Sequence, residues 1–154
     1  MILIRKAYGK DLMTQVRNLF IEYAESLNID LNFQNFDQEL RWLSIYYSIR
    51  KGCLLLAYFE DNLAGCVGLR YFENGICEMK RLYVRPEFRR KKIGLELSKS
   101  IINRAKELGY KYIRLDTLPF MKEAINLYIS LGFKEIPPYR YNPFEKARFY
   151  ELKL

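Results

Sequence analysis

The sequence predicts a mixed α/β (α+β) fold, a mostly antiparallel central sheet flanked by helices. Three observations predict it. Two short turns, Glu60-Asp61-Asn62 and Glu73-Asn74-Gly75, separate three apolar runs and imply an antiparallel meander. Helical periodicity precedes the meander, with Leu12, Val16, Leu19, Phe20 and Tyr23 recurring on one face. A strand–helix–strand unit follows it, and such a crossover adds a parallel strand. The order reads β-α-α-β-β-β-α-β-α-β-β.

Each element follows from local chemistry. Ile2 to Arg5 is short and β-branched, a first strand. Lys10 to about Leu27 carries the first helix, and Phe36 to Ile49, through Leu40, Leu43 and Tyr47, a second. Asn28 to Asn35 between them is polar and turn-prone. Cys53–Phe59, Leu63–Tyr71 and Ile76–Val84 are the meander strands. Gly94 to Leu108 is a helix with Leu95, Leu97, Ile101, Ile102 and Ala105 facing inward, stopped by Gly109. Tyr112–Thr117 is a strand and Phe120–Leu131 a helix stopped by Gly132. A short strand from Phe133 and a last one over Ala147–Leu152 enclose a loop rich in proline and tyrosine, Pro137 to Pro143.

The 154 residues suit one domain spanning 1–154, and half of them are hydrophobic, enough for a core without staples. Cys53, Cys66 and Cys77 lack the close spacing of disulfide frameworks or zinc sites and read as reduced thiols. No run of ~18 apolar residues is present to span a bilayer, and Met1 to Arg5 is too short for a signal peptide. A cytoplasmic protein is expected. There is no histidine, so the commonest general base and metal ligand are missing, and no metal is expected. The net charge of +8 favours an anionic partner, a nucleic acid or a phosphorylated cofactor.

The segment Arg85 to Gly94 discriminates between these. A strand ends at Val84, Pro86 breaks it, and Arg89, Arg90, Lys91 and Lys92 precede a helix. A helix N-terminus exposes unpaired N–H groups and the positive end of the helix dipole. Cations there oppose that dipole by roughly 0.3–1 kcal/mol each, an odd choice unless an anion is to be held. Gly94 sits where a backbone can approach a ligand closely. A solvated basic turn or a nucleic-acid patch explains the charge but not the glycine.

Arg89-Arg90-Lys91-Lys92-Ile93-Gly94 resembles the Arg/Gln-x-x-Gly-x-Gly/Ala loop of the GNAT superfamily of acetyl-coenzyme-A-dependent N-acetyltransferases. The flanks Lys80-Arg81-Leu82-Tyr83-Val84 and Leu97 are also similar to the family's. Downstream, Ala124-Ile125-Asn126-Leu127-Tyr128-Ile129-Ser130-Leu131-Gly132-Phe133 resembles its Ala-x-x-Leu-Tyr-x-x-x-Gly-Phe helix. Lys92 stands in place of the loop's first glycine; lysine avoids positive φ, so the turn is expected to keep φ negative there.

The resemblance implies a transferase moving acetyl from acetyl-CoA to a primary amine of a small molecule or peptide. A coenzyme A sensor without turnover and, further off, a basic nucleic-acid-binding domain are the other readings. It implies no nucleic-acid or membrane partner and a monomer or homodimer. Backbone groups of Leu82, Tyr83 and Val84 would pair with the pantetheine arm. The N–H groups from Arg89, Arg90, Lys91, Lys92, Ile93, Gly94 and Leu95 would hold the pyrophosphate. Strands carrying Leu82 and Asp116 would splay at a bulge to admit the thioester, with the Leu82 N–H as oxyanion donor and Tyr128 protonating the departing thiolate. Glu78 is the candidate general base; the other reading makes it a surface carboxylate paired with Lys80 or Arg81. Met121 stands where the family often has an asparagine, and Asn126 does not replace it. Cys66 and Cys77 are strand-packing residues rather than nucleophiles. The first two helices and the last loop would shape the acceptor pocket, through Tyr23, Trp42, Tyr46, Tyr47, Tyr139 and Tyr141.

Overall fold

A computed structural model describes residues 1–154, apart from the side chains at positions 33 and 34. The chain runs β1 (Ile2–Lys6), α1 (Gly9–Leu27), α2 (Phe36–Arg41), α3 (Leu43–Tyr46), β2 (Cys53–Phe59), β3 (Asn62–Glu73) and β4 (Ile76–Val84). It continues through α4 (Ile93–Glu107), β5 (Tyr112–Thr117), α5 (Lys122–Ser130), β6 (Lys134–Ile136) and β7 (Arg148–Lys153). The strands form one seven-stranded sheet in the order β1-β2-β3-β4-β5-β7-β6. Every neighbouring pair is antiparallel except β4 and β5, which the α4 crossover makes parallel.

The meander forms as the turn residues demand. Glu60 and Asp61 both take positive φ, 47° and 67°, the conformation whose twist matches a two-residue hairpin. Gly75, at φ 78°, turns β3 into β4.

Both long helices after the meander stop in the same way. Gly109 and Gly132 take φ of 85° and 100°. The next residues donate back into the helix, Tyr110 N to Ala105 O at 3.1 Å and Phe133 N to Tyr128 O at 3.0 Å. This closing motif favours an apolar contact between the same two positions, and the Tyr128 and Phe133 rings lie 5.7 Å apart. The glycine stop therefore also fixes Tyr128.

Each face of the sheet carries a core. Leu97 and Ile101 of α4, Ile125 and Tyr128 of α5 pack with Cys77, Met79, Ile113 and Leu115 on one face. Val16, Leu19 and Phe20 of α1 pack with Leu54, Leu56, Cys66 and Tyr83 on the other. Fully buried side chains of this size contribute roughly 1.5–3 kcal/mol each.

The expected helix Phe36–Ile49 is broken at Trp42, whose φ of −125° and ψ of 45° leave the helical region. The break has a cause. Tyr47 hydroxyl donates to Glu39 Oε2 at 2.8 Å, yet eight residues of straight helix would separate them by about 12 Å along the axis. Breaking the helix brings both onto Arg81, whose Nη2 lies 2.8 Å from Glu39 Oε1 and whose Nε lies 3.1 Å from Oε2. Gly68 makes room for the Tyr47 ring, since a Cβ there would sit 2.5 Å from it.

Candidate active site

The site begins with a flaw in strand β4. Cys66 pairs with Tyr83 but Gly68 pairs with Lys80, so β4 carries one extra residue opposite Val67. Arg81 takes φ 61° at that bulge. The alternation of side chains is thereby reversed. Cys77 and Met79 face α4 and α5, but beyond the bulge it is Leu82 and Val84 that face that side, while Tyr83 turns to α1.

Beside the bulge, β4 and β5 part. Their parallel pairing covers only Ile76↔Tyr112, Cys77↔Ile113 and Glu78↔Arg114. β4 then runs on to Val84 and β5 to Thr117 without pairing to each other. Beside the opening lie two adjacent spaces that share Tyr23, Leu27, Leu82 and Met121 as walls.

The larger space is a cleft of about 950 Å³. Leu82, Tyr83 and Val84 form one wall, and the first residues of α4, Ile93 to Leu95, another. Lys122, Glu123 and Ala124, the first residues of α5, lie opposite. Neither helix has a side-chain cap. Two helix N-termini thus present uncapped N–H groups to one cleft, an arrangement suited to an anion. Arg89, Arg90 and Lys92 line it as well. Lys91 does not; its ammonium lies over the Phe59 ring, 5.0 Å from the centroid. Arg85 is used in the framework, bound to Glu22 at 2.7 and 3.0 Å.

The expectation that φ at Lys92 stays negative is corrected. Lys92 takes φ 65° and ψ 19°, and Arg90 takes φ 64°. Left-handed backbone at non-glycine residues costs roughly 1–2 kcal/mol each, and such strain concentrates at functional turns. The loop keeps the glycine-type conformation although a lysine occupies it. Gly94 is different. A Cβ there would meet Leu127 at 3.6 Å and Val84 at 3.9 Å, ordinary contacts. Neither contact demands glycine at 94, a residue that lines the cleft.

The smaller space, about 50 Å³, lies across Leu82 on the side of α1 and the last loop. Lys80, Arg81, Asp116, Tyr23, Tyr128 and Asn142 are among its walls, with Thr117 and Phe144. Asp116 accepts from Asn142 Nδ2 at 3.4 Å, so it belongs to this pocket rather than to the larger cleft. Burial pushes the Tyr128 phenol far above its ordinary value and the Tyr23 phenol up to about 12. Lys80 is only 5% exposed. Burial first and the neighbouring Arg81 charge second push its ammonium down to about 8, against the pull of Glu78 and Asp116.

Glu78 is fully buried, which corrects the surface-carboxylate reading. Its partners are not Lys80 or Arg81 but the last loop: Tyr139 hydroxyl donates to Oε2 at 2.8 Å and Arg140 Nη2 to Oε1 at 2.6 Å. Arg81 belongs to Glu39 instead. Burial alone would raise the Glu39 carboxyl, but the Arg81 charge and hydrogen bonds outweigh it and hold it below the ordinary range.

The aromatic candidates for the acceptor pocket are mostly displaced. Trp42 is half exposed and Tyr141 largely exposed. Tyr46 packs under Arg70, 4.9 Å from its ring centroid. None of these three lines either space, and Tyr139 serves as a donor to Glu78. The last loop does reach the pocket, through Asn142 and Phe144. Sequence reasoning missed those two and Lys80; the signal for Lys80 was the consecutive pair of cations Lys80-Arg81 inside a mostly apolar strand, at the bulge. Cys66 and Cys77 are buried, and burial raises the thiols, Cys77 to about 12. Among the described residues no group of three or more His, Cys, Asp or Glu is placed to hold a metal ion. No helix among them is long and apolar enough to cross a membrane.

A cleft at paired helix N-termini, sharing Leu82 as a wall with a small polar pocket, suits the transfer of a group from an anionic donor. Comparison with known proteins gives the family. The model of the acetyltransferase (GNAT) family matches residues 13–133. An uncharacterised N-acetyltransferase of Schizosaccharomyces pombe is 43% identical, over 86% of this chain and 83% of its own. One from Dictyostelium discoideum is 37% identical over 98% of each chain. The chain belongs to the GNAT acetyltransferase family and is an acyltransferase. Two solved structures share its fold. A GNAT-family acetyltransferase from Staphylococcus aureus has a TM-score of 0.81 at 24% identity, covering 99% of each chain. The PaiA N-acetyltransferase of Thermoplasma acidophilum, in complex with coenzyme A, has a TM-score of 0.76 at 19% identity, covering 100% of this chain and 99% of its own.

Proposed function

We propose that this chain transfers the acetyl group of acetyl-CoA to the primary amine of a small acceptor by direct attack in a ternary complex. The observation that carries the proposal is that Leu82, beside the strand gap, is a wall of both spaces. A thioester laid along Leu82 to Val84 has its diphosphate at the α4 N-terminus and its carbonyl at the strand gap. Backbone N–H groups from Arg89 to Leu95 bind the diphosphate, with Arg89, Arg90 and Lys92 adding charge.

The amine nitrogen, entering from the smaller pocket, attacks the thioester carbonyl carbon, and the Leu82 N–H stabilises the oxyanion. A primary ammonium near pKa ~10.4 must first lose a proton. Both oxygens of Glu78 are engaged by Tyr139 and Arg140, and its carboxylate is outside the pocket lining. Asp116 is the carboxylate in that lining, and it takes the proton, directly or through water. As the C–S bond breaks, the Tyr128 hydroxyl donates to the departing sulfur. Its raised pKa keeps it a neutral donor, while a thiol near pKa ~8.5 is the stronger acid. Tyr128 therefore acts chiefly by hydrogen bonding to the developing thiolate.

Calorimetric titration with acetyl-CoA at modest salt, and release of free thiol from acetyl-CoA across a panel of amines, test this function. Saturable uptake with amine-dependent thiol release is expected; absence of uptake by folded protein sinks it.

A further inference from the structure

We propose that Met121 sets the length of the acyl group this enzyme transfers and holds it to acetyl. The proposal rests on the transferase reading above and specifies which donor that site accepts.

Position is the first argument. Tyr23, Leu27, Leu82 and Met121 wall both spaces. With the thioester oxygen on the Leu82 N–H, the acyl carbons come to lie among these side chains. Leu82 packs into the core on the α4 side, and Tyr23 and Leu27 into the core on the α1 side. Among the described residues Met121 joins neither core, although it is half-buried. Its side chain is therefore the wall whose contacts depend most on what enters.

Restraint is the second argument. Methionine is unbranched and adaptable, and a free one would yield to a longer chain. Met121 is held at both ends. Its N–H donates to Leu118 O and its carbonyl accepts from Ile125 N, each at 3.0 Å, which fixes the main chain where α5 begins. The Thr117 hydroxyl donates to the Met121 Sδ at 3.6 Å. Thr117 is only 6% exposed and ends β5, in the stretch that has parted from β4. The thioether is thereby tied to a wall of the strand gap.

Fit is the third. An acetyl group presents a single methyl to this set. Propionyl and butyryl chains add methylenes that must push the tethered thioether aside or pull the carbonyl off the Leu82 N–H, and such crowding is unfavourable. The bond changes are the same for every chain length. The N–C bond forms, the C–S bond breaks, the amine proton passes to Asp116 and the sulfur leaves as the coenzyme A thiolate. Only the fit of the acyl carbons differs, and one methylene can shift discrimination by about 10–200-fold.

The test compares acetyl-, propionyl- and butyryl-CoA. Calorimetry with free coenzyme A first establishes uptake. Thiol release with the best amine of the panel then gives kcat/KM for each donor; should no amine react, the calorimetric affinities of the donors supply the ratios. Wild type is expected to favour acetyl over butyryl by about 100-fold or more, with propionyl between. Met121→Ala, which removes Cγ, Sδ and Cε, is expected to cut that ratio by about 10-fold or more through faster use of butyryl-CoA. Met121→Leu, of similar volume, should keep the ratio within about 3-fold. Thr117→Val keeps the branched shape but removes the tether, and should lower the ratio by about 3-fold.

If coenzyme A is taken up and wild type uses butyryl-CoA as well as acetyl-CoA, the proposal is overturned while the transferase reading stands. A ratio unchanged in Met121→Ala, or lowered only because acetyl transfer is lost, overturns it equally. If folded wild type takes up no coenzyme A, both fall. Should Met121→Ala fail to fold, Thr117→Val decides, and an unchanged ratio there overturns the proposal.

Discussion

The two ends of the active-site opening are built on different principles. At the proposed donor end, most of the walls come from short stretches of chain, 82–95 and 120–127, and include two uncapped helix N-termini. At the acceptor end the pocket is assembled by pairs far apart in sequence: Arg81 with Glu39, Arg140 with Glu78, Asn142 with Asp116. A turn can keep its shape through a side-chain change, as Lys92 in a glycine-type conformation shows. A pocket of paired charges cannot, because each partner left alone becomes a buried, uncompensated charge.

Breaking the acceptor framework should have the largest effect. Glu39→Ala leaves Arg81 buried without its carboxylate, and a loss of about 3–5 kcal/mol is expected in denaturant unfolding. The same pair sets an acid limit. Because the folded Glu39 pKa is lowered from 4.5, its contribution is present above that value and is lost as pH falls through the lower folded one. Acid titration of wild type against Glu39→Gln should show the difference vanishing at low pH.

Next in size is Tyr128→Phe, which removes the hydroxyl but keeps the ring packed on Phe133. A fall in kcat of about 100-fold, the low end for removing one hydrogen-bond donor to developing negative charge, is expected with unchanged acetyl-CoA affinity; unaltered turnover would remove Tyr128 from the chemistry. At the donor end, Gly94→Asp separates folding from binding. The Cβ fits, and a carboxylate in the first turn of α4 should stabilise the helix by roughly 0.3–1 kcal/mol. The same charge faces the diphosphate, so acetyl-CoA affinity should drop by about 30-fold in calorimetry. The smallest effect is expected from Glu78→Gln, which weakens the tether of the last loop without touching the cleft. KM for the acceptor should rise about 5-fold, with kcat, its pH profile and KM for acetyl-CoA unchanged. Loss of the acid-side limb of that profile would instead make Glu78 the general base.

The contrast also explains what was legible in the sequence. The meander, both glycine-stopped helices and the basic turn rest on neighbours within a few residues, and the elements fall where periodicity and turn chemistry put them. The family-like loop and the Leu127-Tyr128 helix are local in the same sense. Trp42 was read as mid-helix because the force that breaks the helix there, the convergence of Glu39 and Tyr47 on Arg81, comes from forty residues downstream. Glu78 looked like a surface ion for the same reason: its partners, Tyr139 and Arg140, lie in a loop whose path no local pattern encodes. The Lys92 turn failed differently. Intrinsic preference argued against positive φ, and the requirements of the turn overrode it.

The extra residue at Arg81 has one more consequence. Along β4 the positions that must stay apolar to meet α4 and α5 change parity, odd at Cys77 and Met79, even at Leu82 and Val84. A saturation scan of residues 76–84 for tolerance to polar substitution should therefore show its beat slipping by one step in mid-strand. Deleting Arg81 would bring the beat back into phase and re-aim the backbone of Leu82, the proposed oxyanion donor.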